Sequence, residues 1–90
     1  MLFSIAYDIK DADRVQRLLN RVNDLGKNIQ YLSNAVFLKP NDNEMNASKI
    51  YDDLRTITMD EDRIFISSIE KSKIMGWVSS SVVKWITDIG

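Results

Sequence analysis

Ninety residues with no cysteine and no histidine exclude disulfides, thiolate metal sites, cysteine nucleophiles and every Ser-His or Cys-His catalytic arrangement, because the side chains they require are missing. Twelve Lys and Arg against thirteen Asp and Glu leave a net charge of −1, which argues against a protein that coats nucleic acid through bulk charge. A chain this short fills one domain and buries only roughly 60 to 65% of its unfolded surface, so association with a second copy is expected.

The chain opens on Met1 to Asp8, where Leu2, Phe3, Ile5 and Tyr7 form an apolar run with no Gly or Pro. Such a run reads as a central strand covered on both faces, and Asp8 is the first polar group where it emerges. Lys10-Asp11-Ala12-Asp13 reads as a turn in which Asp11 or Asp13 caps a helix. Val15, Leu18, Leu19, Val22 and Leu25 then recur at helical spacing. Gly26 is expected to close that helix in the left-handed conformation.

From Asn28 to Lys39 the chain is extended, with a bend or bulge expected near Ser33-Asn34. Pro40-Asn41-Asp42-Asn43 is turn chemistry. A second helix is expected from about Glu44 to Thr58, with Ala47, Ile50, Tyr51, Leu54 and Ile57 facing inward. Met59-Asp60-Glu61-Asp62 reads as a solvated acidic turn, and Arg63 to Ile69 as the last strand. In the tail, Ser79-Ser80-Ser81 precedes a short helix carrying Val82, Val83, Trp85, Ile86 and Ile89. The division expected is a core over residues 1–69 and an extension over 70–90 that covers a sheet edge or a neighbouring subunit.

If the bent segment counts as two strands, the order becomes β-α-β-β-α-β, an α+β ferredoxin-like sandwich with an appended C-terminal helix. No N-terminal basic stretch precedes the apolar run, and no apolar run is long enough to cross a bilayer. A cytoplasmic protein without membrane contact is expected.

Charge is distributed unevenly. Residues 40–62 carry two basic and seven acidic groups, an acidic block suited to a protein partner. Lys10, Arg14, Arg17 and Arg21, spaced by four, three and four, fall on one strip of the first helix and form a candidate phosphate-binding ridge. The same strip also reads as a solvated flank whose alkyl stems cover core edges. Trp77 and Trp85 are candidate core or subunit-contact residues.

An apolar strand ending in Tyr7-Asp8-Ile9, a polar turn with Asp11, Asp13 and Arg14, then Gln30-Tyr31, Val36-Phe37 and Asp62 leading into Arg63-Ile64-Phe65-Ile66 resembles the family of the second CRISPR-associated protein. Gly76-Trp77 followed by Trp85-Ile86 is similar to the SinR-like sister group, and the virulence-associated protein D toxins share the general fold. The resemblance implies a homodimer with the residue at Asp8 near the dimer axis, serving as a magnesium ligand for phosphodiester hydrolysis. It thus implies an endoribonuclease, an endonuclease or a nuclease-derived nucleic-acid-binding subunit. The alternative is a non-catalytic adaptor, antitoxin-like or anti-defence protein that binds a protein partner.

Overall fold

In the computed structural model, which describes residues 1–89, the chain forms β1 (Leu2–Asp8), α1 (Ala12–Leu25), β2 (Gly26–Leu32) and β3 (Ala35–Pro40). It continues through α2 (Ala47–Arg55), β4 (Arg63–Ile69), a single 3-10 turn (Lys71–Lys73) and α3 (Ser80–Ile89). The four strands make one sheet in the order β2-β3-β1-β4, antiparallel at every pairing. This is the ferredoxin-like arrangement expected, with β1 central.

Alternation along β1 builds the two faces. Phe3, Ile5 and Tyr7 point to the face covered by α1 and α2, where they pack with Leu18, Val22, Val36, Leu38, Ile50 and Leu54. Leu2 points the other way and packs with Phe37 and Val82. A run apolar on both faces is what a central strand between two layers requires.

The bent segment resolves into β2 and β3, joined by a tight turn at Ser33-Asn34, with the register slipping between Gln30 and Leu32. Gly26 departs from the expected left-handed cap: it is extended, with φ 163°, and begins β2 directly after α1. Its requirement is space. A Cβ there would collide with the carbonyl oxygen of Lys39 and lie 2.8 Å from the Pro40 Cα, because β2 and β3 pair at that point.

The second helix is shorter than its periodicity suggests. Asn46 accepts the Lys49 N–H at 2.9 Å and so caps α2 at its start, while Asp42 holds the preceding chain in a turn by accepting the Glu44 N–H. Tyr51, expected to face inward, is 45% exposed; Ile50 and Leu54 alone on α2 are fully buried.

Residues 70–89 do not lie along a sheet edge. They cross the face opposite α1 and α2, where Ile74, Val78, Trp85 and Ile86 pack around Leu2, Phe37 and Val82 of the same chain. Ile29, Tyr31 and Ile69 make that half of the face apolar. Lys39 and Lys71 donate to the Ile89 and Thr87 carbonyls, satisfying acceptors that a helix C-terminus leaves open. Among the described residues no helix is long and apolar enough to cross a membrane.

The Tyr7 hydroxyl is buried with no hydrogen-bond partner among the described residues, and burial raises its pKa. Tyr7→Phe removes this unsatisfied group, so it is expected to leave stability unchanged or raise it by about 1 kcal/mol. Leu54→Ala opens a cavity in the core and is expected to cost about 2 to 5 kcal/mol. Urea denaturation of both variants measures the contrast.

Candidate functional site

Asp8 stands at the end of β1, directly across from Arg63 on β4. It shares the outer face of the sheet with Leu2, Ser4 and Ala6, at the end that α3 does not cover. The turn before α1 then brings Lys10 back, and its ammonium lies 3.1 and 3.3 Å from the two Asp8 oxygens. Both side chains are largely exposed, so this pair contributes little to stability. Its consequence is local: the carboxylate is open to solvent and flanked by cations.

No group of three or more carboxylates converges on a cation position among the described residues, and the nearest charge to Asp8 is positive. Magnesium keeps several waters and is held through one or two carboxylates, and one chain offers it Asp8 alone at this position.

The four basic residues differ in what they meet. Lys10 precedes α1. Arg14 is 8% exposed, and its Nε and Nη2 donate to the two Asp62 oxygens at 2.9 and 3.0 Å. The same guanidinium reaches Glu61 at 3.2 Å and Asp11 at 3.4 Å. Arg21 makes a second fork, onto both Asp53 oxygens at 2.7 and 2.8 Å. Arg17 is exposed and lacks an ion-pair partner among the described residues.

The periodicity does put Arg14 and Arg21 beside the apolar stripe, but that boundary faces the segments carrying the acidic block. Opposite charges at the edge of a core pair bidentately and leave solvent. The sequence shows an acidic middle segment, but not which cation each carboxylate meets.

Asp62 is accordingly not a solvated turn residue. Its side chain is fully buried, and it also accepts the Met59 N–H at 2.9 Å. Arg14 first, and the Met59 amide second, hold its pKa down to about 2. Asp11, rather than Asp13, caps α1 by accepting the Asp13 N–H at 2.7 Å. Of the two tryptophans, Trp77 is wholly exposed, while Trp85 packs on its own sheet.

The sequence profile of the family described as CRISPR associated protein Cas2 matches residues 1–75. The chain belongs to this family. The match spans the four-stranded sheet, α1 and α2, and stops before α3, so the Cas2 features of the chain reside in the sheet and its first two helices. A similar solved structure is that of a hypothetical protein, TT1823, from Thermus thermophilus, with a TM-score of 0.62 at 20% identity over 87% of this chain and 93% of that one. A likeness at that identity speaks for the shared fold. No curated protein matches the chain. Membership in the Cas2 family makes the chain CRISPR-associated.

The buried fork carries a pH signature. The pKa of Asp62 is lowered from 3.8 to about 2, so the unfolded chain takes up the proton first. The stability this adds is present above pH 3.8 and is lost as pH falls toward about 2. Asp62→Asn is expected to lower the thermal midpoint at neutral pH and to flatten its decline across that acidic window, with the remaining slope carried in part by Asp53, whose pKa Arg21 also lowers. Melting curves of both proteins from pH 7 to about 2 test this.

Proposed function

We propose that this Cas2-family chain is a paired nucleic-acid-binding subunit of its CRISPR system, with Asp8 the carboxylate around which magnesium-dependent phosphodiester cleavage is organised. The observation that carries the reading is Asp8 itself: an exposed carboxylate at the end of the central strand, flanked by Lys10 and opposite Arg63. Cations around such a position attract a phosphate backbone. One chain offers magnesium a single carboxylate here, and a homodimer that brings two Asp8 carboxylates together would offer two. The complete exposure of Met75 and Trp77 supports an association surface, since large apolar side chains left in water favour burial against a partner.

With Arg14 and Arg21 engaged internally, Lys10, Arg17 and Arg63 are the cations assigned to phosphate. A protein partner is the second reading, favoured by the exposed Met75 and Trp77 and by Asp52, which stays exposed in the acidic block.

Cleavage of labelled RNA and DNA with magnesium or with a chelator, by the wild type and Asp8→Ala, tests the first reading. The variant is expected to lose about 10- to 100-fold or more. Equal trace activity in both proteins overturns the role of Asp8. For pairing, sedimentation of the wild type is expected to give a dimer that Trp77→Ala weakens.

A further inference from the structure

Between the 3-10 turn and α3, residues 74–79 belong to no helix or strand. Ile74 is extended, with φ −114° and ψ 149°, and no described residue, glycine included, has a positive φ. Burial alternates along the stretch. Ile74 and Val78 pack on the outer face of the sheet, whereas Met75 and Trp77 between them are wholly exposed. That is the pattern of a strand with one face on a core and the other in water.

This strand has no neighbour. Among the described residues, the backbone groups of Ile74 to Val78 make no hydrogen bond to another backbone group. A row of open N–H and C=O groups is a template for a second strand, and native edges blunt it with charge or proline. Ile74-Met75-Gly76-Trp77-Val78 carries neither. The family match ends at residue 75, so Gly76, Trp77, Val78 and α3 lie beyond what it covers.

The order of side chains selects the strand that fits. Gly76 is the midpoint of the five. When a second copy runs antiparallel with Gly76 opposite Gly76, Ile74 meets Val78 and Met75 meets Trp77, on both sides of the axis. The first pair lies on the face toward the sheet and the second on the face toward water. Apolar cross-strand pairs stabilise a ladder, and a thioether beside an indole adds a further contact. The same register sets Lys73 opposite Ser79, so no like charges face each other. A two-fold contact requires a surface that fits itself, and this order of residues does.

We propose that residues 74–78 pair antiparallel with the same residues of a second copy, about a two-fold axis at Gly76, which deepens the pairing in the reading above by naming a segment that makes it. The segment lies over Leu2 and Phe37, away from Asp8, so this contact is separate from any made at the end of β1. Two five-residue strands bury less than about 1,200 Å², the size of transient contacts, and the dimer is expected to dissociate on dilution.

The chain has no cysteine, so single cysteines report pairing without interference. Gly76→Cys sets two thiols across the axis, with Cα atoms about 4.5 to 5.5 Å apart, inside the range a disulfide spans. It is expected to form a disulfide dimer under oxidised glutathione. Ser72→Cys, exposed but far from its twin in that register, is expected to stay monomeric. Gly76→Lys sets like charges face to face and is expected to weaken the dimer about 10-fold in sedimentation. Its melting temperature is expected to stay at that of the wild type, because a Cβ at Gly76 meets nothing within 4 Å in the single chain. Crosslinking of Gly76→Cys no faster than that of Ser72→Cys overturns the inference, as does a Gly76→Lys dimer as tight as the wild type. A wild type that stays monomeric at high concentration overturns it too, and leaves the segment to a different protein. Asp8→Cys separates the two contacts: a crosslink at position 76 without one at position 8 removes the Asp8 pairing and leaves this one standing, and the reverse removes this one.

Discussion

A guanidinium held by carboxylates at the junction of α1 and β4 organises the rest of the molecule. Arg14 reaches Asp62, Glu61 and Asp11 at once, and Asp62 takes the Met59 amide as well. Removing a buried charge from water is costly unless every partner is in place, so this arrangement tolerates one position of α1 against the start of β4. Arg21 and Asp53 repeat the device two turns later, between α1 and α2. Together the forks tie α1 to the start of β4 and to α2.

The sheet has two unlike faces. The face toward α1 and α2 is filled with large apolar side chains and closed. The outer face is divided: near the start of β1 it is covered by α3 and the segment before it, and near the end of β1 it is open. The boundary follows composition. Leu2, Ile29, Phe37 and Ile69 supply apolar area for Val82 and Ile86 to bury, whereas Ser4, Ala6, Asp8 and Ser67 do not. Asp8, Arg63 and Phe65 stand together at the uncovered end.

The internal pairing of charge has a consequence for binding. Two of the four cations on the expected ridge are consumed by Asp62 and Asp53, and outside the ridge Lys39 and Lys71 lie against the C-terminal end of α3. Few cations remain to release counterions from a phosphate backbone, so electrostatic affinity from one copy is small and its salt dependence shallow.

The sequence by itself determined the element order, the apolar stripes of α1 and α2, the two-sided burial of β1 and the exposure of Asp8 at its end, because each follows from periodicity and from turn and cap chemistry within a few residues. The family resemblance was also legible, in Tyr7-Asp8 and in the acidic turn before β4. Only the tertiary structure decided which charges are free. Arg14 and Asp62 are 48 residues apart and Arg21 and Asp53 are 32 apart, and no local spacing encodes such a pair. It also decided that Gly26 is a close-packing residue, that the tail covers a face instead of an edge, and that Phe65 is bare. An apolar strand reads the same whether or not a helix covers it, and where α3 stops is set by the area available on the far side of the sheet.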